Sequence, residues 1–146
     1  MNIAIASDHA GFQFKEVLKQ VLLEQGHRVQ DFGCSSKEAC DYPDYGIPAA
    51  ESVFEQKNER AILICGNGIG MSISAKNTEG VVAAVVYSKK TARETRQHHD
   101  SNVLCLGARE FDQASLLDFV EIWLTTEFSG EERHLRRIRK ALRKNL

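Results

Sequence analysis

Short apolar runs separated by stretches of helical periodicity recur along the whole chain, and this alternation decides what it can fold into. The runs are NIAIA (2–6), RVQDF (28–32, the weakest), AILIC (61–65), VAAVV (82–86) and NVLCL (102–106). Runs of this length, rich in branched side chains and bounded by Gly, Ser or Asn, read as buried strands. Between them, Phe14, Val17, Leu18, Val21 and Leu22 follow the spacing of one helix face, and Gly26 stands where a C-cap belongs. Pro43 and Pro48 bracket a turn and a helix start, with Ile47, Ala50 and Phe54 expected on one face. Leu116, Val120, Trp123 and Leu124 mark another helix. A last one is predicted over about 131–145, with Leu135, Ile138 and Leu142 inward. The pattern predicts a three-layer α/β/α sandwich around a five-stranded parallel, Rossmann-like sheet. A length of 146 residues suits a single domain spanning 1–146.

Several functional classes are disfavoured at once. Nineteen basic residues against twenty acidic ones leave no basic surplus for nucleic acid or an anionic membrane surface. The longest uncharged apolar stretch, VVAAVVY from Val81, is far below a membrane span. The opening MNIAIASDHAG has no basic leader, and its apolar run stops at Ser7, so a cytoplasmic location is expected. The four cysteines, at 34, 40, 65 and 105, form no CxxC pair and no zinc-finger spacing with histidine, and no disulfide framework is expected. Cys105 reads as a small buried strand residue, and Cys34 and Cys40 as flanking a polar loop without chemical work.

An open parallel sheet binds ligands at the C-terminal ends of its strands, where the strand order reverses. Four polar motifs fall at such ends: SDHAG after the first strand, CGNGIG after the third, YSKK after the fourth and GAR after the fifth. The glycine loop is neither a dinucleotide fingerprint nor a P-loop. Gly66, Gly68 and Gly70 give G-x-G-x-G, Met71 stands at the third fingerprint position, and no Gly-Lys-Ser/Thr follows. What remains is a tight turn leading into a helix near Ile69, either a plain strand-to-helix glycine turn or one whose amides face an anion or a developing oxyanion. Cys65 ends a strand and faces that helix, a setting that favours thiolate and hence a nucleophile or general base. The competing reading is a buried core cysteine.

Asp8 and His9 follow the first strand, where Asp8 is also a natural N-cap. RQHHDSN supplies Arg96, His98 and His99. Adjacent histidines cannot share a helix face, so they are expected to differ in role, and either ring is a candidate acid or base. On the last predicted helix, Arg133, Arg136, Arg137, Lys140 and Lys144 lie opposite the apolar positions. Such a run is ordinarily a solvated face, but Arg133 and Arg137, one turn apart, have the spacing of a phosphate clamp.

SDHAG (7–11), DYPDY (41–45), CGNGIGMSI (65–73), HHDSNVLCLGAR (98–109) and ERHLRRI (132–138) stand in the order and spacing of one family. Over essentially its full length the chain resembles the type B ribose-5-phosphate isomerases and their galactose-6-phosphate and allose-6-phosphate relatives. The resemblance implies an aldose–ketose isomerase working through an enediolate, without metal or cofactor. It implies that Cys65 moves the proton between C1 and C2, that His98 opens the sugar ring, and that Asp8 handles hydroxyl protons. The loop residues Gly66, Asn67, Gly68, Ile69 and Gly70 would hold the enediolate oxygens, Asn67 counting among the catalytic residues. His9, Arg109, Arg133 and Arg137 would hold the phosphate, and Tyr42 and His99 would line the substrate site. The resemblance also implies a homodimer, sometimes paired into a tetramer, with the histidine end of each site lent by the neighbouring chain and the last helix at the interface.

Four positions depart from the family pattern. Residue 67 is Asn where Thr is common, residue 99 is His where Asn is usual, Val82 replaces a common Arg, and SAKN (74–77) stands where AANK is typical. They leave two alternatives to the ribose 5-phosphate/ribulose 5-phosphate pair: a six-carbon sugar phosphate as substrate, or a non-catalytic ligand-binding homologue.

Overall fold

A computed structural model describes residues 1–142. Each predicted apolar run forms a strand: β1 (Asn2–Ser7), β2 (Arg28–Asp31), β3 (Arg60–Cys65), β4 (Ala83–Val85) and β5 (Val103–Gly107). They make one parallel sheet in the order β2-β1-β3-β5-β4. The helices are α1 (Phe12–Glu24), α2 (Pro43–Phe54), α3 (Ile69–Ala75), α4 (Lys89–His99), α5 (Gln113–Thr125) and α6 (Glu132–Ala141). Lys144 and the predicted end of the last helix at 145 lie outside the described residues. No described helix is long and apolar enough to cross a membrane.

The central strands are buried on both faces, which is why they read as continuous apolar runs rather than as alternating ones. Ile3, Ile5, Ile62, Ile64, Leu104 and Leu106 pack against Leu18 and Leu22 of α1 and Phe119 and Trp123 of α5. Ala4, Ala6, Ala61, Leu63, Cys65 and Cys105 face the other way, onto Ala49, Ala50 and Val53 of α2 and Met71 of α3. The second face is built from small residues, so α2 lies close to the sheet and presents small residues of its own. Its buried positions are Gly46, Ala49, Ala50, Ser52 and Val53. Of the expected face only Ala50 is inward. Ile47 and Phe54 are exposed, and Pro48 lies inside the helix, which starts at Pro43. The last helix also departs from expectation: Leu135 and Ile138 are only half-buried, Leu142 is exposed, and the one buried residue is His134. Cys105 is fully buried as expected, and burial pushes its thiol well up from its ordinary range.

Candidate active site

The strand order places a switch point between β1 and β3. From β1 the chain first moves to β2 on one side, then crosses to β3 on the other. The carboxyl ends of those two strands carry Asp8 and Cys65, and the Asp8 amide donates to the Ile64 carbonyl at 3.2 Å. A cleft of about 380 Å³ opens there, lined by Asp8, Tyr42, Cys65, Asn67, Gly70 and Arg109, and also by Gly66 and Glu110. A cleft of this size suits a small phosphorylated metabolite.

Cys65 is only 4% exposed, yet its sulfur lines the cleft and accepts a hydrogen bond from the Gly68 amide at 3.2 Å. The core and cleft readings of this cysteine therefore both apply: it packs in the buried cluster under α2 and α3 and also lines the cleft. Gly68 adopts φ +81°, a conformation that costs a side-chain-bearing residue, and this bend turns its amide back onto the sulfur. The loop amides are not all available to a ligand. Gly68 serves Cys65, and the Ile69 amide is capped by Asn67 Oδ1 at 3.0 Å. The amides of Gly66, Asn67 and Gly70 have no hydrogen-bond partner among the described residues. Two of the five amides from Gly66 to Gly70 are thus engaged within the loop, and Asn67, which precedes the Gly68 N-cap of α3, bonds the amide two residues on while lining the cleft.

Asp8 is buried and its Oδ1 accepts from the amides of Ala10 and Gly11, so it does cap the turn while still lining the cleft. His9 is held from the side. Its Nδ1 accepts the Cys40 amide at 3.2 Å, which puts the proton of the neutral ring on Nε2. Cys40 thus orients His9 through its backbone, a contribution that the sequence reading of the 34–40 loop did not anticipate. Arg109 is pinned by its amide to the Gly66 carbonyl at 3.0 Å. The Tyr42 ring lies against Gly70, where an added Cβ would come within 2.8 Å of it.

The remaining predicted residues lie elsewhere. Helix α4 starts at the C-terminal edge of the sheet and returns to the N-terminal edge, where Asn102 bridges the starts of β4 and β5. His98 and His99 therefore sit at the rim opposite Cys65. Helix α6 packs there too. Arg137 and His99 line a separate cleft of about 260 Å³ with Ile138 and Leu142, beside the edge strand β4. Arg133 Nε bonds its neighbour Glu131 at 2.7 Å. Asp8, His9, Tyr42, Cys65, Gly66 to Gly70 and Arg109 are brought together in one chain, whereas His98, His99, Arg133 and Arg137 form a second cluster.

The model of the Ribose/Galactose Isomerase family matches residues 3–141. The chain belongs to that family. It is 38% identical over 136 residues to ribose-5-phosphate isomerase B of Escherichia coli, covering 93% of this chain and 91% of that protein. The structure of ribose-5-phosphate isomerase B from Clostridium thermocellum superposes with a TM-score of 0.94 at 42% identity, covering 97% of this chain and 95% of that one. The Mycoplasma genitalium enzyme, solved with bound ribulose-5-phosphate, superposes at 0.92 with 39% identity, covering 97% and 94%. The protein is thus a sugar phosphate isomerase. Its three-layer parallel fold is that of these enzymes.

Proposed function

We propose that the protein interconverts ribose 5-phosphate and ribulose 5-phosphate by a proton shuttle on Cys65. The thiolate takes the C2 proton of the open-chain aldose. The electron pair moves toward C1, and the carbonyl oxygen becomes part of an enediolate. The sulfur returns the proton to C1, while Asp8 passes the hydroxyl proton between O2 and O1. Charge and atoms balance without an added reactant. The free Asn67 and Gly70 amides steady the developing oxyanion. His9 and Arg109 hold the phosphate from this chain. His98, Arg133 and Arg137 come from a second copy, His98 opening the furanose ring and the arginines closing on the phosphate.

The observation that carries this reading is that Cys65, Asp8 and Arg109 line one cleft at the switch point of the sheet. The Mycoplasma relative's bound ribulose-5-phosphate supports the pentose pair. The test is Cys65→Ala, assayed with ribose 5-phosphate and allose 6-phosphate. We expect turnover to fall by about a thousandfold or more, as for loss of an essential acid/base group, with the thermal midpoint nearly kept. Retained isomerase activity would remove Cys65 from the chemistry. A wild-type preference for allose 6-phosphate would overturn the pentose assignment.

A further inference from the structure

His134 is the only buried residue of α6, at 4% exposure, and the chemistry above gives it no task. Its ring lies against that of His98, with centroids 4.5 Å apart and planes tilted by 36°. On its far side, Nδ1 is 2.7 Å from the hydroxyl of Ser129. The Glu131 amide also donates to that hydroxyl, at 3.3 Å. The Ser129 amide in turn donates to the Gln97 carbonyl at 3.2 Å, tying the segment before α6 to the last turn of α4.

We propose that Ser129 and His134 form a positioning pair that fixes the ring orientation of His98 for sugar-ring opening. The proposal rests on the reading of His98 as the ring-opening group. A histidine at the end of a helix has free rotamers, and an acid/base group works only when its nitrogen meets the sugar oxygen within hydrogen-bond reach. A flat ring held edge-on by a serine gives His98 one face to lie against. Burial lowers the pKa of His134 from its ordinary value, and the neighbouring His98, Arg133 and Arg137 push it the same way, against Glu131. His99 meets His98 edge-on, at 6.0 Å between centroids. His134 presents a ring face against which the His98 ring is held.

The experiment uses two substrates that differ in their need for ring opening. Ribose 5-phosphate is mostly furanose. Ribulose 5-phosphate has its O5 blocked by phosphate and stays open. Initial rates on both are measured for the wild type, Ser129→Ala, His134→Ala, His134→Phe and His98→Asn, with the ring resonances of His98 followed by NMR. We expect Ser129→Ala and His134→Ala to lose about tenfold on ribose 5-phosphate, part of the range for an acid/base group, and to stay near wild type on ribulose 5-phosphate. His134→Phe, which keeps a ring, should restore most of the loss, and the His98 resonances should shift in both alanine variants. Equal losses on the two substrates, or no loss in Ser129→Ala, would overturn the proposal. So would unmoved His98 resonances. Should His98→Asn itself not discriminate between the substrates, the ring-opening assignment fails and the pairing proposal falls with it. Shifted His98 resonances in that case would identify the assignment of His98, not the contact, as the error.

Discussion

Two inactive variants of this protein should repair one another when their subunits are mixed. Cys65 and His98 lie at opposite rims of the sheet within one chain. If each working site joins the Cys65 rim of one copy to the His98 rim of another, a two-fold dimer has two such sites. In a heterodimer of Cys65→Ala with His98→Asn, one site carries both substitutions and the other carries neither. Random pairing of equal amounts makes about half the dimers mixed, each with one intact site of two, so about a quarter of wild-type activity returns. At mixing fraction x the recovery follows x(1−x). The assay is the initial rate on ribose 5-phosphate after subunits are exchanged by mild denaturation and refolding. A control pair, Cys65→Ala with Asp8→Asn, places both changes on the same rim, so no mixture of it should recover. Absence of recovery in the first pair, or recovery in the control, would refute the division of the site between copies.

Three further perturbations probe the cleft and its support. Gly70→Ala puts a methyl 2.8 Å from the Tyr42 ring and must displace it; KM for the sugar phosphate should rise about tenfold, matching loss of one good contact, and an unchanged KM would deny Tyr42 a place at the ligand. Asn67→Ala removes the acceptor of the Ile69 amide and should cost about 1 kcal/mol of stability in urea melts, the worth of one hydrogen bond, with kcat falling far less than in Cys65→Ala; an equal fall would put Asn67 in the proton path. Asp31 is the acid-sensitive support of the β2 end. Burial alone would raise its pKa, but hydrogen bonds from Lys15, the Gly33 amide and Lys19 outweigh it and hold the carboxyl below its ordinary 3.8. Its contribution is therefore complete above that value and is lost as pH falls through the lower folded value. Asp31→Asn should flatten the acid limb of the stability–pH curve, and at neutral pH should cost about 3 kcal/mol by leaving Lys15 buried without its main partner; parallel acid limbs in the two proteins would contradict this.

The parallel sheet was legible because β1, β3 and β5 are buried on both faces and thus unbroken in hydrophobicity. The edge strands were harder to delimit, since β4 touches one neighbour and keeps only three paired residues. The orientation of α2 was misread for a packing reason. Its inner face must sit close to Ala4, Ala6 and Ala61, so it is made of Gly, Ala and Ser, while its large apolar residues Ile47 and Phe54 point outward. Hydrophobic periodicity weighs bulk and therefore picked the wrong side. In the cleft, the residue types were readable from motif chemistry, but the division of labour among the loop amides was not. That division depends on the turn at Gly68 and on which way the Asn67 amide points. Ser129 and His134 carried no signal, because their significance lies in contacts with another helix rather than in their own spacing.

The separation of His98 from Cys65 follows from the connectivity of the fold. In a parallel sheet every connecting helix must carry the chain from one edge back to the other. Helix α4 does this with 11 residues, about 16 Å at 1.5 Å per residue, and His98 and His99 stand at its far end. No side-chain rotation returns them to the rim where β3 ends. A histidine on that last turn can reach a sugar bound over Cys65 only from another molecule. The exposed, partly apolar surfaces of α3 and α6, with Ile69, Ile73 and Leu142, provide area that such an association would bury. If a second copy completes the site, dilution below the dissociation constant of the pair should abolish turnover of the furanose while leaving each chain folded.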